Sequence, residues 1–471
     1  MRYYSFQVKE RQEAAAGSAE SYCIICSFSY TFFSNISFWN TVLKNKFPVI
    51  GALRLFFRFD TRLILGAILL AYLAYLAVWL WPKKEALWDL TVYYRVSRAY
   101  AAGANPYAAG EVLRIAEKES AVAGEFVRKN EGLFRHFAYP PLVLHAFSLI
   151  SARFDFSAAR GIFIVAKLIG IALLFVIWWR WILPRLPAGP ASRRLAVIAS
   201  LFMIYAWSNP IERDMLCGNI SVFEQVLVWS ALALYLRGRF VCFAILLALA
   251  AFPKGVPLVF LGLLAVPLLR TVERRQAVLA GLLGIALFAG LHFADYLRDG
   301  ARYPEYLRAL GSFTDESRGL SNAASLPFFY DVAEIIGRWS PLAGMETGMA
   351  LWMIWGLAFG ILLLVVFFRR GLAAPRHRLL VVMLATLFLA VTLPRLKDYS
   401  LILLLPAAWF FWSQERALVM KLILAVVLLF PARVILPMVP YYNFFLAVLL
   451  FFLALFRWSE QCKDPITESA A

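Results

Sequence analysis

Long apolar runs alternate with short basic linkers along most of the chain. Residues 63–81 are 19 consecutive uncharged residues, and a helix that rises about 1.5 Å per residue would carry them across a hydrocarbon core of about 30 Å. Further apolar segments follow at 138–152, 159–181, 195–207, 219–236, 240–252, 256–269, 277–294, 348–368, 379–394, 400–412, 418–431 and 441–456. The pattern predicts an all-α polytopic membrane protein with about 12 transmembrane helices.

The linkers predict the orientation of these helices. Arginine residues cluster in four linkers, at 180–194, 237–239, 270–275 and 369–378. Cytoplasmic loops carry an excess of Lys and Arg, so we expect these linkers in the cytoplasm, together with the C-terminal tail 457–471. The two long loops 82–137 and 295–346 then lie on the outer face. The region 138–181 must cross an odd number of times although it contains two apolar stretches, so we expect one stretch to be short or re-entrant.

Composition supports the same interpretation. Hydrophobic residues make up 62% of the chain and charged residues 16%, against about 45–50% and 25% in soluble domains, which excludes a soluble globular enzyme and a disordered protein. Of the net charge of +18, the four linkers and the Arg54–Arg62 stretch before the first span together carry +14, so the basic excess indicates cytoplasmic segments and not nucleic-acid binding. Residues 22–50 are rich in Ser, Asn, Phe and Lys, so we interpret 1–53 as an atypical N-terminal extension of the membrane domain 54–456, with a misassigned start of the sequence as the alternative.

Asp89 is the first candidate for chemistry. It lies at the predicted outer boundary of the first span, beside Trp88 and close to Tyr93 and Tyr94. Partial desolvation there would raise the pKa of a carboxylate and make it a better general base. The alternative is an interfacial aspartate within a belt of aromatic residues.

Lys254 is the second candidate, because Pro253 and Pro257 flank it inside an apolar run. A lysine is costly in hydrocarbon, so we expect it to face a cavity that contains an anionic partner; the alternative is a lysine that extends to the outer surface. Arg395 and Lys397 lie at another outer helix boundary, where they either contact the same anion or anchor the helix at the interface.

An ordered set of motifs resembles a known family. The motifs are Trp88-Asp89-x-x-x-Tyr93-Tyr94, Gly103-x-x-Pro106-Tyr107, Tyr139-Pro-Pro-Leu142, Gly218-Asn219, Pro253-Lys254-Gly-Val-Pro257, Ser321-Asn322 and Pro394-Arg395-x-Lys397-Asp398-Tyr399. Together they resemble glycosyltransferase family 87 of the C-type membrane glycosyltransferases, the polyprenyl-phosphate-mannose-dependent α-mannosyltransferases and their relatives. The chain departs from the family pattern at two places. The spacing after Asn322 is wider than in the family, and Asp398 stands where family members often carry a histidine.

The resemblance implies a C-type fold in the cell membrane, with the active site on the outer face. It implies inverting transfer of a sugar, mannose in the best-known members, from a polyprenyl-phosphate donor to a glycan or glycolipid acceptor. Asp89 then matches the general base, and Lys254, Arg395 and Lys397 are candidates to contact the donor phosphate. Further donor or substrate contacts are expected from Tyr93, Tyr94, Tyr139, Asn219, Asn322 and Tyr399.

Two other classes remain open: a lipid-linked saccharide transporter or flippase, and an oligosaccharide ligase or polymerase. A transporter would be expected to have paired inverted halves, which the sequence does not indicate. We expect no metal and no cofactor, since no His, Asp, Glu or Cys spacing indicates a metal site and no glycine-rich nucleotide motif occurs. Residues 111–131 predict one amphipathic helix on the outer surface, and Arg213 and Asp214 are expected to be structural.

Overall fold

The structure is a computed structural model of the whole chain. It describes residues 61–83, 87–135, 137–185, 192–268, 271–311, 324–338, 345–369, 377–395, 397–415, 418–429 and 441–461. The predicted N-terminal extension 1–53 and the candidate residue Asn322 lie outside the described residues.

All regular structure in these ranges is helical. The N-terminal part contains α1 (Thr61–Leu80), α2 (Trp88–Ala101), α3 (Ala109–Glu119), α4 (Ala121–Lys129), α5 (Glu131–Arg135), α6 (Pro141–Ser151) and α7 (Phe156–Ile177). The middle part contains α8 (Ser192–Tyr205), α9 (Pro210–Cys217), α10 (Ser221–Leu236), α11 (Phe240–Ala251), a 3-10 helix (Val256–Leu264), α12 (Ala265–Leu268), α13 (Thr271–Arg298) and α14 (Tyr303–Gly311). The C-terminal part contains α15 (Ser325–Gly337), α16 (Met345–Arg369), α17 (Arg378–Thr392), a 3-10 helix (Asp398–Leu404), α18 (Leu405–Gln414), α19 (Leu418–Leu429) and α20 (Tyr442–Gln461).

The surfaces of the long helices are those of a membrane protein. Four of the described helices are long and apolar enough to cross a bilayer. Only 17% of the apolar part of α13 and 11% of that of α16 is buried inside the protein, and their outward side chains include Leu282, Ile285, Ile354 and Leu357. Soluble monomers rarely expose contiguous apolar surface of this extent. Lipid is therefore the solvent of these faces, and the number of crossings stays a prediction.

The two apolar stretches of 138–181 form helices of very different length. Helix α6 has 11 residues and α7 has 22, which correspond to about 16 Å and 33 Å. Asp155 begins α7, because its side chain accepts a hydrogen bond from the backbone N–H of Ala158 at 2.7 Å. Helix α6 is therefore the shorter of the two, and the odd number of crossings in 138–181 stays a prediction.

The long loop 82–137 is folded into short helices. The single helix predicted over 111–131 is wrong: α3 and α4 are separate and meet at Ser120. Ser120 is extended, at φ −168°, and its hydroxyl accepts a hydrogen bond from the backbone N–H of Ala123 at 3.1 Å. A serine that caps a new helix competes with the continuation of the preceding one, and this local bond divides the amphipathic stretch.

The predicted boundaries at the second loop and at the tail differ from the helix ends. Helix α13 runs to Arg298 and α14 follows directly, so the start of the predicted outer loop 295–346 is helical. Helix α20 continues to Gln461, beyond the predicted start of the tail at residue 457.

Packing of the middle helices positions the functional residues. Helix α11 packs against α10 and α13, α10 packs against α7, and α2 packs against α6. The 3-10 helix Asp398–Leu404 packs against α9. Five chain segments meet at one place: the start of α2, the end of α9, the start of α10, the break after α11 and the start of that 3-10 helix.

Candidate active site

Asn219 lies where these segments meet and joins two of the predicted residues. Its Nδ2 donates to Oδ2 of Asp89 at 2.7 Å, and its Oδ1 accepts from Nζ of Lys254 at 3.1 Å. The side chain of Asn219 is buried, with 3% exposure. A carboxylate and an ammonium group therefore occupy the two ends of one amide.

Gly218 explains how Asn219 reaches Asp89. It ends α9 at φ +74°, a conformation that residues with a Cβ adopt only with strain, and a Cβ at this position would lie 2.9 Å from Cα of Leu87. The N–H of Leu87 donates to the carbonyl oxygen of Leu216 at 2.7 Å. The close approach that glycine permits places the end of α9 against the start of α2, where Asp89 is the second residue.

Two tyrosine hydroxyls complete the environment of the Asn219 amino group. Nδ2 also lies 3.0 Å from the hydroxyl of Tyr93 and 3.2 Å from that of Tyr399, so its two hydrogens are shared among three acceptors. Tyr93 is four residues after Asp89 on α2 and hence on the same face of the helix. Its hydroxyl is 3.1 Å from the hydroxyl of Tyr139. Burial, reinforced by Tyr139 and Asp89, raises the pKa of Tyr93 well above its usual range, so this hydroxyl stays protonated.

Ser221 fixes the orientation of the Asn219 amide. The backbone N–H and the hydroxyl of Ser221 both donate to Oδ1 of Asn219, at 3.1 Å and 2.8 Å. Because both are donors, the oxygen of the amide must face them and the amino group must face Asp89. The polarity of the amide is thus set by the start of α10.

Lys254 lies at the break between α11 and the 3-10 helix that follows. Gly255, at φ +69°, makes the turn after it. Nζ of Lys254 is 3.4 Å from Oγ of Ser221 and 3.5 Å from Oε2 of Glu224. The side chain is 25% exposed, although it lies beside apolar helices.

The structure thus brings together six of the ten sequence-predicted site residues: Asp89, Tyr93, Tyr139, Asn219, Lys254 and Tyr399. Arg395 lies within electrostatic range of Tyr399, and Lys397 immediately precedes its 3-10 helix. Tyr94 faces another direction: its hydroxyl donates to the carbonyl oxygen of Phe154 at 3.0 Å. Adjacent helical residues lie about 100° apart around the axis, so Tyr93 and Tyr94 cannot both face Asn219.

A second charged pair lies behind Asn219. Nζ of Lys167, on α7, is 2.5 Å from Oδ2 of Asp214, and both side chains are fully buried. The same Nζ donates to the backbone carbonyl oxygen of Asp214 at 2.6 Å, which also accepts the N–H of Gly218 at 3.0 Å. The pair therefore acts on the last turn before the Gly218–Asn219 corner.

Sequence reasoning missed Ser221, Glu224 and Lys167. For the two charged residues a signal was present, because a charge inside an apolar segment requires a partner. The structural role expected for Asp214 agrees with its contact with Lys167. Among the described residues no group of three or more His, Cys, Asp or Glu side chains is placed to bind a metal ion.

The chemistry of the site follows from its two ends. A carboxylate at Asp89 can accept a proton from a hydroxyl group, and an ammonium group at Lys254 can stabilise negative charge that develops on a second group. Asn219 and Ser221 hold the two functions at a defined separation. Such an arrangement suits a displacement in which a hydroxyl is the nucleophile and an anion is the leaving group.

Two comparisons with known proteins bear on this chemistry. No curated protein matches the chain, but a family model does. The sequence model of glycosyltransferase family 87 matches residues 137–394, a range that contains Tyr139, Asn219 and Lys254, and the fold adds Asp89 and Tyr399 from outside it. This match covers more than half of the chain and confirms the resemblance of the motifs, so the protein belongs to glycosyltransferase family 87.

Proposed function

We propose that the protein transfers a sugar from a polyprenyl-phosphate donor to a lipid-anchored or periplasmic glycan, with inversion at the anomeric carbon. Mannose is the donor sugar that the family resemblance favours. One observation carries the proposal: the carboxylate of Asp89 and the ammonium of Lys254 contact opposite ends of the Asn219 amide, at 2.7 Å and 3.1 Å. Membership of a glycosyltransferase family supports it.

In the proposed reaction Asp89 is the general base. It takes the proton of an acceptor hydroxyl while that oxygen attacks the anomeric carbon, and the bond from this carbon to the phosphate oxygen breaks on the opposite face. A single displacement of this kind inverts the configuration. The phosphate leaves as an anion and needs no proton, so one carboxylate is sufficient.

Lys254 stabilises the leaving phosphate in this proposal. Among the residues that the structure describes, the carboxylate nearest to its ammonium group is that of Glu224, 3.5 Å away, which is beyond the usual length of a charge-assisted hydrogen bond. The other partners of its ammonium group, Asn219 and Ser221, are neutral. A phosphate oxygen would therefore be the closest anion, and Arg395 and Lys397 are proposed to add positive charge to the same group.

The proposal places the site on the outer face of the cell membrane. The basic residues favour this orientation. Arg54, Arg58 and Arg62 precede the first span and are expected in the cytoplasm, so α2, which follows that span, is expected on the outer side. The polyprenyl chain of the donor would lie among the lipid-facing helices, and the acceptor would reach Asp89 from the aqueous side.

The test uses the full-length protein in lipid nanodiscs, supplied with polyprenyl-phosphate-[¹⁴C]mannose and membrane glycolipids as acceptor. We expect Asp89→Asn to reduce transfer by at least about a hundredfold and to leave donor binding within about twofold. Asp155→Asn is the matched control, because asparagine also caps a helix and the exposed carboxylate of Asp155 accepts the N–H of Ala158 at the start of α7. Unchanged transfer by Asp89→Asn would exclude Asp89 as the base.

Lys254 is tested separately. Lys254→Met should raise the donor KM and lower kcat, and Lys254→Arg should restore part of the donor affinity because arginine also binds phosphate. If wild-type protein transfers no sugar but moves a fluorescent lipid-linked saccharide across liposome membranes, the transferase proposal fails and the transporter alternative is correct.

A further inference from the structure

A second group of polar and aromatic side chains adjoins the site and has no part in the proposed displacement. We call it the Asp295 cluster; it consists of Tyr107, His292, Asp295, Tyr303 and Tyr306. Asp295 and His292 lie near the end of α13, two of the tyrosines lie on α14, and Tyr107 follows α2 in the Gly-x-x-Pro-Tyr motif.

The carboxylate of Asp295 lacks the partners that its burial demands. The residue is 1% exposed, and neither carboxylate oxygen makes a hydrogen bond of normal geometry with any described residue. The backbone N–H of Leu142, in the first turn of α6, lies near it. A buried carboxylate is costly unless it accepts hydrogen bonds, so one weak contact with a helix terminus leaves most of its acceptor capacity unused.

Several aromatic side chains lie near this carboxylate. Tyr107, Tyr303 and Tyr306 all lie within electrostatic range of Asp295. The rings of His292 and Tyr306 stack with 9° between their planes and 6.3 Å between centroids, and Nδ1 of His292 is 3.0 Å from the hydroxyl of Tyr303. Burial, with Tyr303 and Asp295, raises the pKa of Tyr306 to about 12, so its hydroxyl is neutral at physiological pH.

The cluster is continuous with both ends of the Asn219 site. On one side the hydroxyl of Tyr107 donates to the carbonyl oxygen of Tyr139 at 2.7 Å, and the hydroxyl of Tyr139 contacts Tyr93. On the other side the ring of His292 lies 5.0 Å from that of Phe252, which is two residues before Lys254. A molecule bound beside Asp89 and Lys254 would therefore have this cluster as its neighbour.

We propose that the Asp295 cluster is a sugar-ring subsite, in which the carboxylate accepts hydrogen bonds from ring hydroxyl groups and the aromatic side chains contact the apolar face of the ring. Sugar hydroxyls are the donors that a buried acceptor requires, and carboxylates bind them more strongly than neutral acceptors do. Stacked rings supply the apolar contact that small-molecule sites use. The inference rests on the proposed glycosyl transfer. Both the donor sugar and the acceptor glycan present ring hydroxyl groups and an apolar ring face.

Binding of octyl α-mannoside, octyl β-glucoside and octyl β-galactoside to the full-length protein in nanodiscs, measured by saturation-transfer-difference NMR, tests the subsite without catalysis. We expect Asp295→Asn to weaken the bound glycoside about tenfold, since hydrogen bonds to a charged acceptor are replaced by bonds to a neutral one. Glu305→Gln is the control: Glu305 is on α14 beside the cluster but pairs with the exposed Arg308. Equal binding by wild type and Asp295→Asn would overturn the proposal.

Transfer kinetics then identify the occupant. A higher KM for the acceptor alone assigns the subsite to the acceptor sugar, and a higher KM for the donor alone assigns it to the donor sugar. If Asp295 only stabilises the start of α6, both KM values stay at the wild-type level while the melting temperature falls, and the proposal is overturned. If wild type transfers no sugar, the proposed function fails, yet glycoside binding that depends on Asp295 still supports the subsite.

A photoreactive octyl glycoside covers the case in which Asp295→Asn does not fold. With wild-type protein, a diazirine on the sugar should label peptides from α13 and α14 between residues 292 and 306. Labelling confined to other peptides would overturn the proposal.

Discussion

Replacing Asn219 with alanine tests whether one amide couples the carboxylate to the cation. Alanine removes the donor 2.7 Å from Asp89 and the acceptor 3.1 Å from Lys254, while the backbone of the Gly218–Asn219 corner is unaltered. A hydrogen bond to a charged partner contributes about 1.5–3 kcal/mol, so the two bonds together amount to about 3–6 kcal/mol. Water that enters the space left by the side chain would compensate for part of this lost hydrogen-bond energy. We expect about 3 kcal/mol to appear in kcat, which is roughly a hundredfold.

The assay measures initial rates of sugar transfer at saturating donor, with size-exclusion chromatography to verify folding. Ser221→Ala is the graded comparison. It removes one donor to the Asn219 oxygen and the 3.4 Å contact with Nζ of Lys254, while the backbone N–H of Ser221 remains 3.1 Å from that oxygen. We expect kcat of this variant to stay within about fivefold of wild type, the loss of one neutral hydrogen bond. A kcat for Asn219→Ala within threefold of wild type would refute the coupling.

Asn219→Asp separates the charge from the geometry. It keeps an oxygen that faces Lys254 but places a second carboxylate beside Asp89, and two carboxylates at this distance cannot both ionise readily. The two carboxylates then compete for one proton, so a smaller fraction of the protein has Asp89 ionised and able to act as the base. We expect the pH profile of transfer to move to higher pH, where the second proton dissociates; an unshifted profile would contradict the contact.

Three further predictions concern the support of the site and its orientation. Gly218→Ala should lower the free energy of unfolding in SDS titration by about 1–3 kcal/mol, because alanine is strained at φ +74° and clashes with the chain at 2.9 Å; equal stability would contradict the close approach. Lys167→Met should lower the free energy of unfolding by about 3–5 kcal/mol, because it leaves the carboxylate of Asp214 unpaired. Adding Asp214→Leu to this variant should recover part of the lost stability, whereas additive losses from the two substitutions would argue against a pair. In a protein whose native cysteines are all replaced, a single cysteine introduced by Ala121→Cys should react with a membrane-impermeant maleimide in intact cells, and one introduced by Arg239→Cys should not. The reverse pattern would invert the proposed orientation.

The positions of the helices follow from the sequence to a large extent. The run 63–81 corresponds to α1, and the segment predicted at 277–294 lies within α13. In a bilayer each segment must satisfy its own backbone hydrogen bonds, so a long apolar run forms a helix whatever its neighbours are. The helices of the outer loop do not have this constraint, and there a single side chain, Ser120, divided the helix predicted over 111–131.

The direction of side chains depends on packing that no local pattern contains. Tyr93 and Tyr94 are adjacent and chemically identical, yet α2 packs against α6 and α9 so that Tyr93 contacts Asn219 and Tyr94 contacts Phe154. Glu224 is an acidic residue in the first turn of an apolar helix, where the helix dipole alone would stabilise it, and only the fold places it near Lys254.

The sequence by itself determined the membrane as solvent, the helical segments and the chemical types of the site: a carboxylate at position 89, an amide at 219 and a lysine at 254. Tertiary structure decided that these three groups touch. Asp89 and Asn219 are 130 residues apart, and their contact depends on a glycine that lets α9 approach α2 and on a serine that orients the amide. Hydrogen bonds between distant segments are set by the packing of whole helices, and local hydrophobicity carries no record of that packing.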